Sequence, residues 1–363
     1  MKKLCFIVYN NIKVIGGVNS VVLGLCDELR GEYDVSIISI CSSQSENDVK
    51  LDGVKFFELN EDINNRLSVV ALRSFLKLRK ILKKEKFDII FMEGHYTPAV
   101  VLLSSFLLKS KIVFCDHGSL LNQIKDKKIV FLRKIASRFS SKTVVLTKKN
   151  HDDYCDLLKI SPDKIVNIYN FCNEKFYEHS GNYNIESKKI LSVGRLSNEK
   201  GFDLALKVAK RVLDKYKNWE WHVYGDGPER KSLEEKIQKY NLKNKFILKG
   251  NIDKTYTIYN EYSIFVMPSY REGLSLVLIE AQINKLPCVS FDCIAGPNEI
   301  VLNGVNGFLI SCYNIIDMSD KIRVLIENKD IRKKFSENSH NNLEKFKKVN
   351  IMKKWRNLIE ELI

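Results

Sequence analysis

Long hydrophobic runs are missing from this sequence. The best candidate for a membrane span, 99–108, is broken by two serines and is shorter than the roughly 18–20 apolar residues needed to cross a bilayer. The apolar stretch 4–9 is also shorter than the ~7–15 residues of a signal-peptide core. We therefore expect 4–9 to form a buried first strand instead of a leader.

Cysteine pairs, metal-binding triplets and nucleotide fingerprints are missing as well. None of the nine cysteines forms a C-x-x-C pair, and most lie within apolar runs, which favours buried reduced thiols over disulfides or zinc ligands. No D-x-D triplet occurs, and no cluster of His, Cys and carboxylates has metal-ligand spacing. The sequence contains neither a P-loop nor a complete dinucleotide-binding motif. We therefore expect neither a bound metal nor a cofactor.

The chain does have an excess of positive charge. It carries 59 Lys and Arg against 44 Asp and Glu, a formal net charge of +15 over 363 residues. Such a surplus favours an anionic partner, and nucleic acid, a membrane surface and a phosphorylated small molecule all qualify. With 45% hydrophobic residues, the chain is too apolar to be disordered, and its length indicates two domains.

Short β-branched or aromatic runs alternate with stretches of helical periodicity along the whole chain. The strand-like runs are almost continuously apolar, which is typical of a parallel sheet covered by helices on both faces. We therefore predict an α/β fold with two doubly wound domains, in which loops after the strands carry the chemistry. The predicted strands are 4–9, 35–40, 88–92, 112–115, 143–146, 164–168, 190–193, 220–224, 245–248, 263–267, 287–290 and 307–310, and the predicted helices are 18–30, 68–84, 97–108, 129–138, 202–216, 229–240 and 274–283.

Glycine-rich and basic loops follow several of these strands. The glycine pair 16–17 and the loop 225–228 could bring backbone N–H groups to an anion, or simply make the tight turns that such a fold needs. The stronger signal is 194–201, in which Arg195 and Lys200 flank a strand-to-helix loop. An Arg fork and a Lys point charge suit a pyrophosphate, although two solvated surface cations would have the same spacing.

These motifs together resemble those of the retaining family-4 glycosyltransferases of bacterial surface-polysaccharide type, which have the GT-B fold. The run 194–201 is similar to the family motif G-R-L-x-x-x-K-G, and Glu272 with Glu280 is similar to its E-x7-E signature. The runs 225–228 and 295–300 follow in family order. The resemblance is strong over roughly 189–311 and weaker but collinear over 1–170.

The resemblance implies two Rossmann-like domains facing a cleft. The acceptor-binding domain would comprise 1–172 with a returning C-terminal segment at 345–363, including a helix at 349–362. A linker would follow at 173–188, and the donor-binding domain would comprise 189–344.

The resemblance also implies a role for each matching residue. Arg195 and Lys200 would hold the donor pyrophosphate, and Glu280 would accept hydrogen bonds from the ribose hydroxyls. Glu272 would contact the donor sugar, and His117, after the strand 112–115, matches the active-site histidine of the family. The catalytic set would thus be His117, Glu272, Arg195 and Lys200, with further donor contacts from Gly16, Gly17, Gly194, Gly225, Gly273, Leu274 and Ser275.

Several of these positions have other interpretations. Glu272 and Glu280 could be ordinary surface carboxylates, although Glu272 precedes the predicted helix because Gly273 intervenes. His117 could be a core or capping histidine. His95 follows another predicted strand and is a candidate acceptor contact. The acidic residue that usually follows the family's glycine pair is Asn19 here, a departure from the family pattern.

Two basic clusters lie outside the motifs. The segment 73–86 contains seven cations and one acid, and 125–149 contains nine cations and one acid. In the second cluster cations alternate with apolar residues, as in an amphipathic helix suited to an anionic membrane surface, or in a helix that packs on the fold with one solvated face. The interleaved residues are Phe131, Leu132, Arg133, Lys134, Ile135, Arg138 and Phe139.

The sequence therefore predicts a retaining, metal-independent hexosyltransferase. It would move a sugar from a nucleotide-diphosphate sugar, with UDP favoured by the family, to a glycan acceptor carried on a polyprenyl diphosphate. We expect it at the inner face of the cytoplasmic membrane. The alternatives are a GT-B phosphorylase or nucleotide-sugar epimerase, and a basic nucleic-acid-binding protein, for which no reader motif is evident.

Overall fold

The computed structural model describes residues 1–13, 17–42 and 51–363. The described chain forms two compact units, Met1–Asn170 with Ile351–Ile363, and Phe171–Asn350. Each unit is built on one parallel sheet with helices between its strands.

The first unit contains a seven-stranded parallel sheet. Its central strands are buried along nearly their whole length, as the continuous apolar runs predict. The elements are β1 (Lys3–Val8), α1 (Gly17–Leu29), β2 (Asp34–Cys41), β3 (Lys55–Glu61), α2 (Leu67–Glu85), β4 (Ile89–Glu93), α3 (Pro98–Ser105), β5 (Lys111–Asp116), α4 (Lys127–Phe139), β6 (Lys142–Val145), α5 (Lys148–Leu158) and β7 (Ile165–Asn167).

The strand order in this sheet is β3-β2-β1-β4-β5-β6-β7. Strands β2 and β3 lie on one side of β1, and strands β4 to β7 lie on its other side. The order therefore reverses between β1 and β4, and a crevice opens beyond the carboxyl ends of these strands. In β1–β4 pairing, Val8 lies opposite Glu93, the last residues of the two strands.

The second unit contains a six-stranded parallel sheet of order β10-β9-β8-β11-β12-β13, which reverses between β8 and β11. The carboxyl ends of those two strands therefore flank its crevice. The elements are α6 (Lys175–Glu178), β8 (Lys189–Val193), α7 (Phe202–Leu213), β9 (Glu220–Tyr224), α8 (Arg230–Lys239), β10 (Phe246–Gly250), β11 (Ile264–Met267), α9 (Leu276–Ile283), β12 (Cys288–Phe291), α10 (Pro297–Ile300), β13 (Gly307–Ile310), α11 (Ile315–Glu327) and α12 (Lys329–Glu337).

The last helix, α13 (Lys348–Leu362), returns to the first unit from residue 351 onward. Its Trp355 ring packs edge-on against Phe91 of β4, with ring centroids 5.8 Å apart. Arg356 pairs with Glu32 at 2.7 Å. Glu361 pairs with Lys142 at 2.6 Å. The contacts that hold this helix thus include a buried aromatic pair and two ion pairs.

The predicted alternation of strands and helices is confirmed, with six elements missed: β3, α5, α6, α10, α11 and α12. Segment 173–188 belongs to the second unit and contains α6. Its Tyr183 hydroxyl donates to the Ser263 carbonyl at 2.8 Å, and Arg332 donates to the Ile185 carbonyl at 2.9 Å. This segment is therefore packed against the second sheet rather than extended through solvent.

Two global properties bear on the sequence predictions. Within the described ranges, no helix combines the length and the apolar character that crossing a bilayer requires. All nine cysteines are free thiols, and seven of them are buried. The cysteines thus contribute to the core as small apolar side chains.

Candidate functional site

The loops after β8 and β9 are pressed together at the carboxyl edge of the second sheet. A Cβ atom on Gly225, whose φ is +137°, would lie 1.9 Å from the Gly194 carbonyl oxygen. One on Gly227 would lie 2.4 Å from the Leu196 carbonyl oxygen. The Gly194 N–H donates to the Tyr224 carbonyl at 2.9 Å. Glycine at 225 and 227 is therefore required for this close approach, which fixes the path of the loop 194–201.

The same loop also meets the loop after β11. A Cβ atom on Gly201, at φ +66°, would lie 2.0 Å from the Pro268 carbonyl oxygen. Across this contact, Lys200 Nζ lies 2.9 Å and 3.0 Å from the two carboxylate oxygens of Glu272. Ser269 Oγ donates to Glu272 Oε1 at 2.6 Å. The structure thus brings together two of the predicted catalytic residues, 72 positions apart in the sequence.

Arg195 extends from the same loop and is exposed. Among residues 1–13, 17–42 and 51–363, no carboxylate pairs with its guanidinium. Lys200 is paired with Glu272 in the free protein, so Arg195 is the cation of this loop that meets an anion without first giving up a carboxylate partner. This distinction between the two predicted pyrophosphate ligands is not visible in the sequence.

Glu280 lies on α9 and has a different partner from Glu272. Tyr259 donates its hydroxyl proton to Glu280 Oε2 at 2.6 Å. Burial raises the pKa of Glu280 to about 7, although the hydrogen bond from Tyr259 acts in the opposite direction. Tyr259 precedes β11 and carries no motif, so sequence reasoning did not find it.

The turn between Glu272 and α9 is held by its own side chains. Leu274 is buried, and Ser275 Oγ lies 2.9 Å from Met267 Sδ. A Cβ atom on Gly296, at φ +100°, would lie 2.7 Å from the Gly273 carbonyl oxygen. The contact predicted for Gly273, Leu274 and Ser275 would therefore be made by their backbone N–H groups at the start of α9.

A cavity of about 690 Å³ lies in the first unit, beyond the carboxyl ends of β1 and β4. His117 lines it, and His117 Nε2 lies 2.5 Å from Glu93 Oε2. His95 and Tyr96 line the same cavity, with their rings 4.2 Å apart. Burial, followed by the charge of Arg133, lowers the pKa of His95, so its ring is neutral at physiological pH. The structure therefore places His117 and His95 in one cavity, with Glu93 as an unpredicted third member.

The glycine pair expected at the start of α1 is described only in part. Gly17 is the first residue of α1, and an added Cβ would meet nothing within 4 Å. Gly16 lies outside the described residues. Asn19, which replaces the acidic residue of the family, lines the cavity and donates from Nδ2 to the Asn11 carbonyl at 2.8 Å.

Arg133 is not a surface cation, and its predicted place on a membrane-facing side of α4 is wrong. Its side chain is 0% exposed and its Nε lies 2.9 Å from Asp116 Oδ2, where Tyr154 also donates at 2.6 Å. Burial raises the pKa of Asp116, but Arg133, Tyr154 and the Gly118 N–H outweigh it and hold that pKa below its ordinary value. Arg133 therefore anchors the loop that carries His117.

The two basic clusters lie on helices that both pack against α3. Arg79 of α2 donates to the Phe106 carbonyl at 2.8 Å, which ties α2 to the end of α3. Large apolar side chains protrude from all three helices, including Leu103 (61% exposed) and Phe131 (60%), and Leu107 (82%) follows the end of α3. We call this surface the basic helical face; its exposed members are Leu72, Arg73, Leu76, Lys77, Lys80, Lys83, Lys84, Leu103, Phe106, Leu107, Lys127, Lys128, Phe131, Lys134, Arg138 and Phe139.

Solved structures with the same architecture include two that contain UDP. A variant of Staphylococcus aureus TarM, in complex with fondaparinux, alpha-GlcNAc-glycerol and UDP, superposes with a TM-score of 0.83 at 17% identity, with 99% of each chain covered. Anabaena HepE, in complex with UDP and glucose, gives a TM-score of 0.84 at 16% identity over 99% of this chain and 100% of that one. The predicted α/β fold of GT-B type is thereby confirmed.

Relatives by sequence match over nearly the whole chain. An uncharacterized glycosyltransferase of Haemophilus influenzae is 30% identical over 99% of this chain and 100% of its own length. The amylovoran biosynthesis glycosyltransferase AmsD of Erwinia amylovora is 27% identical over the same shares. A Campylobacter jejuni relative, 25% identical over 96% of both chains, is named GalNAc-alpha-(1->4)-GalNAc-alpha-(1->3)-diNAcBac-PP-undecaprenol alpha-1,4-N-acetyl-D-galactosaminyltransferase.

Two family models divide the chain between them. The model described as Glycosyltransferase Family 4 matches residues 15–176, and the model described as Glycosyl transferases group 1 matches residues 174–342. The first match contains strands β2 to β7 of the first sheet, and the second match contains all strands of the second sheet. Together with the full-length relative at 30% identity, these matches show that the chain belongs to the family-4 glycosyltransferases.

Proposed function

We propose that this chain transfers a sugar from a nucleotide-diphosphate sugar to a glycan acceptor with retention of anomeric configuration. The observation that carries this proposal is the arrangement in the second unit, where exposed Arg195 lies on the same loop as the Lys200–Glu272 pair. Glycine contacts hold this loop against its neighbours, so the backbone that carries both cations is in place before any ligand binds.

Each group in the second unit has a defined task in this proposal. Arg195 binds the diphosphate as a fork, and Lys200 adds a point charge to the same anion. Glu272 orients Lys200 in the free protein and accepts hydrogen bonds from hydroxyls of the donor sugar. Glu280 accepts hydrogen bonds from the ribose, and UDP is the favoured nucleotide. Neutralisation of the leaving diphosphate by these cations makes the proposed transfer metal-independent.

Retention follows from a same-face mechanism. The bond between the anomeric carbon and the diphosphate oxygen breaks, and the acceptor oxygen attacks from the same side. The departing phosphate oxygen takes the proton of the acceptor hydroxyl, so no carboxylate nucleophile is required. Arg195 and Lys200 stabilise the negative charge that grows on this oxygen. His117 offers its imidazole to a sugar hydroxyl in the cavity of the first unit.

A nucleotide-release assay with UDP-, GDP- and ADP-sugars tests the activity. Each donor is incubated alone, with inorganic phosphate, and with short glycans linked to prenyl diphosphate. Release that depends on the glycan supports the proposal, with loss in Lys200→Ala as confirmation. Release that needs only phosphate indicates a phosphorylase, whereas conversion of the donor sugar without release indicates an epimerase.

The acceptor that we propose is a polyprenyl-diphosphate-linked glycan at the inner face of the cytoplasmic membrane, in surface polysaccharide synthesis. The names of two relatives, which give amylovoran biosynthesis and a PP-undecaprenol acceptor, support this proposal. The basic helical face supports it independently, because exposed apolar side chains among cations suit an anionic bilayer surface.

Vesicle flotation tests the membrane part of this proposal. Binding to vesicles with anionic phosphatidylglycerol should exceed binding to neutral phosphatidylcholine vesicles, and Phe131→Ser with Phe139→Ser should weaken it. Ile316→Ser, which removes an exposed apolar side chain of α11 in the second unit, is the matched control. Equal binding to neutral and anionic vesicles contradicts the proposal.

A further inference from the structure

Glu93 and His117 form a buried pair at neighbouring strand ends. In β4–β5 pairing Glu93 lies opposite Cys115, which places His117 just beyond the end of β5 and beside the carboxylate. The Glu93 side chain is 1% exposed and that of His117 is 10% exposed, and both line the cavity of the first unit. The sheet register therefore sets the 2.5 Å contact between them, with the carboxylate almost fully buried and the imidazole at the wall of the cavity.

Each partner retains one buried polar atom without a hydrogen bond. Among the described residues, nothing donates to Glu93 Oε1 and nothing pairs with His117 Nδ1. The neighbouring Cys115 thiol is a weak donor to the Glu93 carboxylate. Burial, the charge of Glu93 and this hydrogen bond raise the pKa of the thiol, so that it stays protonated. Buried polar atoms are usually satisfied, and such exceptions beside a cavity point to a ligand that completes them.

The nearest carboxylate in sequence cannot replace Glu93. Asp116 directly precedes His117, but its two oxygens are engaged by Arg133, by the Tyr154 hydroxyl and by the Gly118 N–H. Glu93 is therefore the carboxylate that orients the imidazole.

The chemistry of the pair determines which nitrogen carries the proton. A carboxylate only accepts hydrogen bonds, so the ring nitrogen facing it must bear hydrogen. Protonation of Nε2 in the neutral ring leaves Nδ1 as an acceptor. We propose that Glu93 is a positioning residue for His117: it holds Nε2–H and leaves Nδ1 to accept a hydrogen bond from a sugar hydroxyl in the cavity. Only the identity of that ligand rests on the proposed function.

Long-range 1H–15N NMR of histidine-labelled full-length protein tests the positioning directly. The wild-type spectrum should show His117 protonated at Nε2, with the signal identified by its loss in His117→Gln. Glu93→Gln should shift this signature toward a mixture of both neutral forms. Glu61→Gln is the matched control, because it alters another buried carboxylate of the first unit, which pairs with Lys77. Protonation at Nδ1 alone in the wild type, or an unchanged signature in Glu93→Gln, overturns the proposal.

A double-mutant cycle tests the consequence for transfer. Glu93→Gln should lower kcat/KM about tenfold in the wild type and less than about twofold in the His117→Ala background, because the residue acts through the imidazole. Equal losses in both backgrounds overturn the proposal in favour of a purely structural role. If the wild type transfers no sugar, the proposed function fails, whereas the NMR signature still decides whether Glu93 sets the protonation of His117.

Discussion

Glu280 is expected to destabilise the free protein at neutral and alkaline pH. Its pKa is about 7 in the folded chain against an ordinary value of 4.5. The folded state therefore binds this proton more tightly than the unfolded state, so stability falls as pH rises from 4.5 through 7. At about 1.4 kcal/mol for each pKa unit, the ionised carboxylate costs about 3 kcal/mol above that range.

Glu280→Gln removes this titration and keeps an oxygen that can accept the hydrogen bond from Tyr259. Urea unfolding of wild type and variant at pH 5 and pH 8 measures the effect. Between these two values the variant should gain about 2–3 kcal/mol relative to wild type. In a Trp355→Phe background the remaining tryptophans, Trp219 and Trp221, are both buried in the second unit, so their fluorescence reports on that unit.

Two further results complete the test of Glu280. Tyr259→Phe removes the hydrogen bond that lowers the pKa of Glu280. The pH range over which stability falls should therefore move to higher pH. In a donor titration, Glu280→Gln should bind the nucleotide sugar about tenfold more weakly, since it loses a charged acceptor for the ribose. Identical pH dependence of stability in wild type and Glu280→Gln refutes the assignment of a raised pKa.

Three other substitutions test the site and its supports. Gly225→Ala should lower the free energy of unfolding by about 3 kcal/mol or more, because its Cβ would collide with a carbonyl oxygen. The control Gly53→Ala has φ +79° but no close contact, so it should lower that free energy by about 1 kcal/mol. Arg195→Ala should raise the donor KM at least tenfold and leave urea unfolding within about 0.5 kcal/mol of wild type. Arg133→Met should destabilise the first unit by about 3–5 kcal/mol, measured by urea unfolding, because it leaves Asp116 buried without its counter-ion.

The sequence predicted best those strands that are buried on both faces of the sheet. Central strands such as β1 and β4 are buried on both faces, and their continuous apolar runs predicted them. Strand β3 lies at the sheet edge, where exposed charged residues interrupt the apolar pattern, so it was missed. Helix α5 was missed for a similar reason, because KKNHDDYCDLL shows few apolar positions.

Pairings across the chain were harder to predict than motifs. Lys200 and Glu272 were both singled out by motif, but their 2.9 Å contact depends on close loop packing at Gly201. The partnership of Glu93 with His117 depends on strand register, which no local pattern reveals.

The buried position of Arg133 is partly visible in the sequence. Ile129, Arg133 and Ala136 are spaced four and three positions apart, so they share one face of α4, and that face is buried. The interleaving of apolar and basic residues suggested a solvent-facing amphipathic helix. The spacing of Arg133 from its apolar neighbours instead indicates the inward face, where Asp116 neutralises it.

The most direct test of the account is the anomeric configuration of the product, determined by NMR after transfer from an α-configured nucleotide sugar to a prenyl-diphosphate-linked glycan. The account predicts an α-linked product together with one released nucleoside diphosphate. A β-linked product would contradict retention, and glycan-independent release would contradict glycosyl transfer itself.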